Sequence, residues 1–531
     1  MLGVRTGIGF KKGGRAASRR PVLAAALICF VPATASAQWI DAQLPRRGEL
    51  QIGLTATSST VGARLRPDGT RQPLAEVFLE GIGARQAPEL SSLDSLLAAF
   101  YPQLGLPVPD SSGLGVISYD VLVEHTRAPI SLSYGAMKWL AIFATVPLVY
   151  GKSFVNPGFD TLQADAGPAA TAFGANPDAF FQDLGAGIGE LESIVAADTL
   201  DPARQAAAAG LLADAQALEA GLTGFRDQVY VPTDTGAAGQ QLNGFYSDVQ
   251  SGFTEFGLDL PELTLAQPIA VEQAIGLTSG EAYGFDAPQT RWSGIKFGDI
   301  EVGLSLQPLN TFTATPENPR PTVPVRLKLD ALYRFASGSP PAANFMFDPG
   351  TGQGQPDLEL HGALDVGFGR RFWLSTFASY NLQFSADVER LVTSPESPIQ
   401  QGAFTSTVRW DPGDILTLVA APRFNLSRAI TFAGLIRYQR HGKDQYTALD
   451  PIEPAAPFVP ADLERNTRWW TTSFGFAVRY SGTDWSGDSR RSTIPLEIEL
   501  RYLKVTSGGD GFAPARNVWE VGTRFYWSVF Q

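Results

Sequence analysis

Strict alternation of apolar and charged residues restricts this chain more than any other feature. In residues 357–368, Leu358, Leu360, Leu364, Val366 and Phe368 share one parity, while Asp357, Glu359, His361 and Asp365 share the other. Successive side chains of a strand point to opposite faces, so the segment reads as a strand with one greasy and one charged face. The scheme recurs in residues 49–56, 116–134, 139–150, 299–307, 323–335, 372–384, 416–426, 430–438, 470–480, 494–502 and 517–531. Twelve strands are expected.

Alternation alone also suits a soluble sandwich, in which the apolar face meets a core. The connections discriminate. Links after even strands fall at 137, 309–320, 369–370, 427–428 and 483–492; those after odd strands at 59–115, 151–292, 338–355, 385–415, 443–465 and 507–514. Five of the six odd links are long and three of the five even ones are tight turns. An even strand count with short turns on one side and long loops on the other is the arrangement of an all-β transmembrane barrel, with lipid outside and a polar lumen. Both termini would then be periplasmic. Residues 403–410 read as a further strand that would disturb the count. A parity slip near His125–Arg127, where Val121 and Val123 are odd but Ala128, Ile130 and Leu132 even, reads as a β-bulge.

One stretch departs from the scheme. Residues 151–292 hold an Ala-rich region with helices expected near 176–198, 201–228 and 238–257. Asp201-Pro202 supplies an N-cap and a first-position proline, and Leu211, Leu212, Ala215, Leu218 and Leu222 recur at helical spacing. This is an inserted helical hairpin, plugging the lumen or projecting outward, with Phe180, Phe181, Phe225, Tyr246, Phe253 and Phe256 as its own apolar anchors. A short helix is expected from Leu93 to Phe100, stopped by Pro102.

The first 37 residues read as a secretory signal peptide: six basic residues, an apolar run from Val22 to Val31, then Ala-Thr-Ala-Ser-Ala37. Arg19-Arg20 also permits a twin-arginine reading, though a basic leader suffices. Ile28 before Cys29 is a poor lipoprotein box. Removing the leader takes away six positive charges and no acid, so the net charge moves from −12 to −18, and the only cysteine goes with it. Such acidity excludes a nucleic-acid partner, which needs a basic footprint. The mature barrel would span 38–531. No later apolar run reaches the roughly 18 residues of a membrane helix.

Residues 126–150 (TRAPISLSYGAMKWLAIFATVPLVY) resemble a hairpin of the outer-membrane family named for the MetA pathway of phenol degradation. Residues 294–303 (GIKFGDIEVG) are similar to its next strand, with Lys296 in place of a glycine. Segments 370–382 and 421–446 are similar to its later hairpins. The resemblance covers most of 116–150 and 293–531 and leaves out the helical insert. It implies a porin-like or transporter-like barrel and marks no chemistry.

Candidate lumen-lining residues follow from parity: Arg326, Lys328, Asp330, Arg334, Glu359, His361, Asp365, Arg423, Arg437, Glu497, Glu499, Arg501 and Arg524. With Arg479, Asp357 and Glu520 they form an expected salt network, because charges facing one another in a narrow barrel need partners. His361 between acids suggests a metal ligand or general base, but a structural network explains it as well. No catalytic residue, metal or cofactor is expected. A lipid-hydrolysing barrel would need a histidine beside a serine at the lipid face, and His361 points inward.

The reading that results is an outer-membrane channel or transporter for small, apolar or aromatic compounds. A surface barrel acting through its helical loop is the alternative, and a lipid-modifying enzyme a distant third. Its expected partners are outer-membrane lipid and lipopolysaccharide, the barrel-assembly machinery and a small-molecule solute. In the C-terminal strand Phe530 is out of phase with Trp519, Phe525 and Trp527. Trp527→Ala is therefore expected to lower the yield of folded barrel more than Phe530→Ala, read as heat-modifiable mobility on a denaturing gel. Loss of folding in Phe530→Ala alone would reverse that reading.

Overall fold

The computed structural model describes residues 42–528, apart from 75, 77–78, 198–199, 313–318, 346–347, 370, 395–398, 452–455 and 483–495. The expected leader, the link at 483–492, part of the link at 309–320 and the terminal residues 529–531 lie outside the described residues.

Twelve antiparallel strands make the frame. They are β1 (Glu49–Leu65), β2 (Leu114–Met137), β3 (Leu140–Ala164), β4 (Glu301–Asn310), β5 (Val325–Arg334) and β6 (Asp357–Phe368). The second half comprises β7 (Phe372–Gln383), β8 (Ile415–Asn425), β9 (Ile430–His441), β10 (Trp469–Ser481), β11 (Leu496–Gly509) and β12 (Ala513–Ser528). Each pairs with its sequence neighbours. β1 also pairs with β12, Ile52 opposite Phe525 on one side and Leu132 on the other, so the sheet closes into a barrel. Closure leaves no strand edge unpaired, the condition for a sheet to cross a bilayer.

The outer surface is apolar where a soluble sheet would be polar. Leu304, Leu329, Leu360, Leu418, Ile436, Phe474 and Val521 are all exposed, each on the outward parity of its strand. Aromatics flank this band at both ends: Trp139, Phe368, Phe372 and Trp527 on the turn side, Tyr333, Phe335 and Tyr380 on the loop side. An apolar belt between two aromatic girdles is the surface of a lipid-spanning barrel. No described helix is long and apolar enough to cross a membrane.

The helices gather at the loop end. Besides α1 (Leu90–Phe100), the insert supplies α2 (Pro177–Ala196), α3 (Pro202–Phe225), α4 (Ala237–Glu255) and α5 (Val271–Leu277). Asp201 caps α3 by accepting from the amides of Ala203 and Arg204, as its sequence position predicts. Phe180, Phe225, Tyr246 and Phe253 are buried, with Phe181 and Phe256 packed beside them. Tyr101, immediately after α1, donates to the Ala238 carbonyl at 2.6 Å, and burial pushes its phenol well above its ordinary pKa. The helices form a dome whose core continues onto the inward faces of β1 and β2, at Val61, Ile117, Tyr119, Val121 and Val123. Leu391, Ile399 and Ala403, from another long loop, join the same core. The loops thus meet over the upper end of the barrel.

Two expectations need correction. β2 carries no bulge at His125–Arg127: its pairing with β3 runs without a break from Val123 to Ile130, and its pairing with β1 keeps one register on either side of Ala128 and Pro129. The apolar residues change parity because the surroundings invert. Ile130 and Leu132 face lipid, whereas Val121 and Val123, higher on the strand, face inward against the dome. The segment at 403–410 is a strand, Phe404–Asp411, but it does not alter the barrel count. It pairs with Ala386–Val392 and Gln445–Ala448 in a separate three-stranded sheet.

At Gly221 of α3 an added Cβ would run into the Phe100 ring, so α1 and α3 meet at a position that only glycine fits. Gly221→Val is expected to destabilise the dome by roughly 1–3 kcal/mol, the usual cost of overpacking. The helical circular-dichroism signal should melt earlier while the strand signal keeps its transition. An unchanged helical melt would remove this contact from the dome's energetics.

Candidate functional site

The barrel wall turns its charged parity inward, and β-pairing brings distant residues into rows. Asp330 lies opposite His361 and Arg334 opposite Asp357, while Arg334 also faces Glu301 on the other side. These rows generate one continuous chain of ion pairs. Arg334 reaches Glu301 at 3.1 Å, Asp357 at 2.7 Å and Glu359 at 3.1 Å. Glu301 also holds Arg127 at 2.7 Å. Glu359 meets His361 Nε2 at 2.9 Å, and Asp330 lies 3.6 Å from His361 Nδ1 and 3.3 Å from Lys328. His361 is therefore enclosed by two carboxylates and the Phe377 ring, 5.2 Å away between centroids, and serves the network. Bidentate and multiply bonded guanidinium groups of this kind offset the desolvation that buried charges suffer.

A second group forms around Asp365. It accepts from Arg326 Nη2 at 2.8 Å and Ser375 Oγ at 2.6 Å. A third spans β10, β11 and β12. Arg479 contacts Glu497 at 2.7 Å, and Arg524 lies 3.6 Å from the same carboxylate, which also accepts from Tyr526 at 2.9 Å. Arg501 bridges Glu499 and Glu520, the latter at 2.9 Å. Arg423 is buried on β8 within electrostatic reach of Glu499. Arg437 donates to Gln439 at 3.2 Å, higher in the barrel. The thirteen candidates named from parity fall into these separate groups and not around one point. Among the described residues no three His, Cys, Asp or Glu side chains are set to hold a metal ion.

Sequence reasoning missed the plug. Residues preceding β1 turn up into the lumen: the Ala42 amide donates to Asp365 Oδ2 at 3.0 Å, and Gln307 Nε2 donates to the Ala42 carbonyl. Ala42 is fully buried. Gly48 donates to the Gly135 carbonyl at 2.8 Å, and any Cβ at Gly135 would strike the Arg46 carbonyl, so the segment passes tightly against the turn of β2. A cavity of about 100 Å³ remains, lined by Gln43, Leu44 and Pro45 of this segment and by Arg127, Phe143, Glu301, Lys328 and Arg524 of the wall. Residues 42–45 carry no periodic signal, so nothing in the sequence marks their place. Arg127 and Arg516 were also missed. Arg127 sat at the misread bulge, and Arg516 fell one residue outside the expected last strand.

No family profile matches the chain, and no curated protein matches it. The resemblance to the phenol-degradation family rests on the quoted hairpins alone. Among solved structures, the chain is similar to an outer-membrane channel from Pseudomonas putida F1, at 7% identity, with 92% of this chain and 98% of that one covered and a TM-score of 0.41. The CymD monoaromatic hydrocarbon channel gives 8% identity, 91% and 89% coverage and a TM-score of 0.27. The toluene transporter TodX of P. putida gives 9%, 90% and 89%, and 0.24. These scores are too low to carry weight, and the barrel assignment rests on its own closed pairing.

Arg334 holds three buried carboxylates, so Arg334→Met strips Asp357 of its counter-charge and leaves Glu301 to Arg127 and Glu359 to His361. Folding into lipid vesicles, followed by tryptophan fluorescence in urea, should show a loss of about 3–5 kcal/mol, the usual consequence of breaking a buried network from one side. Arg465→Met, at a half-exposed pair with Asp462, should change stability by less than about 1 kcal/mol. Equal effects of the two substitutions would count against the network's structural role.

Proposed function

We propose that this protein is an outer-membrane channel or transporter that passes small, apolar or aromatic solutes through its lumen, with passage gated from within. The observation that carries this reading is the occupied lumen: a twelve-stranded barrel filled by paired charges and by residues 42–45, with a cavity of about 100 Å³ left between them. Barrels of this strand number leave little room beyond their own side chains, which argues against open, unselective conduction. The dome adds a second cover at the opposite end. The exposed apolar belt, the aromatic girdles and the leader read in residues 1–37 support export and insertion in the outer membrane, with lipid, lipopolysaccharide and the assembly machinery as its surroundings. The resemblance of residues 126–150 and 294–303 to the phenol-degradation family favours aromatic cargo. The inward histidine held by two acids favours transport over lipid hydrolysis.

Planar-bilayer recording tests the reading. The full barrel should show small, infrequent conductance steps. Replacing residues 166–285 by a short Gly-Ser linker should enlarge them only modestly, and removing 38–46 as well should produce a steadily open pore. Absence of conductance in all three folded forms would remove the channel reading.

A further inference from the structure

The cavity beside residues 42–45 owes its place to register. Across β1, β2 and β3 the inward row Gly53, Ser131 and Thr145 runs from Arg524 on β12 to Glu301 on β4, so small and hydroxyl side chains separate two charged ends. The next inward row toward the turns is Gln51, Ser133, Phe143 and Gly303. A Cβ at Gly303 would strike the Phe143 ring, so that ring lies across β4. Where Arg334, Glu359 and His361 fill the lumen on β5 and β6, these rows stay short, and the space of about 100 Å³ remains beside them.

Its lining limits what it can hold. Five hydroxyls edge it, those of Thr55, Ser131, Ser133, Thr145 and Ser305. A hydroxyl brings one donor and two acceptor lone pairs, so it can meet either kind of group on a solute without giving up a bond it already makes. Leu44, Pro45, Pro129 and Phe143 supply an apolar side. The charged members are engaged: Arg127 with Glu301 at 2.7 Å, Lys328 with Asp330 at 3.3 Å and Arg524 with Glu497 at 3.6 Å. An ion entering here would shed its water and find each counter-charge already paired, which desolvation makes unfavourable. A hydrocarbon would displace water from the hydroxyls and replace none of its hydrogen bonds. By the measure in which one water takes about 10–15 Å³, the space holds roughly seven to ten water-sized groups, enough for one ring and a polar substituent.

We infer that this cavity is a binding subsite for an uncharged single-ring solute bearing an alcohol or amide group, with the ring against Phe143, Pro129 and Leu44 and the polar group among Ser131, Ser133 and Thr145. The inference rests on the proposed role of the lumen as a small-molecule path, and it narrows the cargo by setting aside both ions and plain hydrocarbons.

The test uses the folded full-length barrel in lipid vesicles, with Cys29→Ser so that an engineered thiol is the only one. Ser133→Cys and, separately, Thr55→Cys place that thiol on the lining. Its rate of modification by methyl methanethiosulfonate is read by mass spectrometry with benzyl alcohol, toluene or benzoate at equal free concentration. Benzyl alcohol should slow both thiols, and toluene and benzoate should need roughly tenfold more to match it, the difference one or two hydrogen bonds make. That comparison needs no change to the hydroxyls; Ser131→Ala with Thr145→Val, checked for folding by heat-modifiable mobility, should then remove the preference. A thiol at Ser473→Cys, on β10 and outside this lining, should be unaffected by all three probes. Protection by none of the probes, protection by toluene or benzoate as strong as that by benzyl alcohol, equal slowing at Ser473→Cys, or a preference that survives the double substitution would each overturn the subsite. So would thiols that the reagent never reaches, since a space closed to it admits no solute. Protection in a barrel that never conducts would leave the subsite and remove the path. Conductance without protection would do the reverse.

Discussion

Lipid offers a peptide group no hydrogen bond, and the rest of this structure follows from that constraint. Each strand must find partners on both sides, which only closure provides. β1 is the closing element: it pairs with β12 from Glu49 to Leu65 and with β2 from Leu50 to Val61. Once the register of that seam is fixed, so is the face of every residue, because a slip by one position would turn Leu304, Leu329 and Leu360 into the lumen and Glu301, Asp330 and Glu359 into lipid. The inward charges then have nowhere to go but to one another. Arg334 with three carboxylates and Asp365 with Arg326 and Ser375 are consequences of closure as much as contributors to stability.

The same constraint explains why one strand changes its apolar face without changing its pairing. β2 and β3 run well past the apolar belt. Within it, lipid lies outside and polar groups inside. Above it, water lies outside and the dome's core inside. Val121, Tyr119 and Ile117 therefore carry on inward the apolar pattern that Leu132 and Ile130 set outward. A sequence pattern reports which face is apolar, not which side of the wall that face is on. A parity slip on a strand whose register does not shift marks the height at which the medium inverts.

That distinction sets how much of the molecule was legible. The twelve strands, their alternation, the short turns on one side and the helices of the insert all come from local periodicity and capping, and the structure has them. The charged candidates were legible only as a set that needs partners, since parity assigns a side and not a contact. Three things were not. The reach of β3 to Ala164, past its expected end at residue 150, was hidden by the inversion. The strand at 404–411 was visible, but its partners 386–392 and 445–448 are set by tertiary packing, so its exclusion from the barrel was not. The placement of residues 42–45 depends on a few hydrogen bonds to Asp365 and Gln307 contributed from hundreds of residues away, and no short-range pattern encodes them.

These differences in how parts are held also rank what can move. Shifting a strand breaks a ladder on both sides, with no water in the bilayer to replace the lost bonds. Opening the Arg334 group separates buried charges, at several kcal/mol for each ion left unpaired. The segment at Ala42 is different in kind. Asp365 keeps Arg326 and Ser375 when the Ala42 amide leaves, and a freed peptide group in a wet lumen exchanges its partner for water at a net loss of about 1 kcal/mol per bond. A lumen with ion-paired walls and an occupant held by hydrogen bonds confines its motion to that occupant. By holding its charges against one another, the wall leaves the Ala42 segment as the part of the lumen with least to lose on moving.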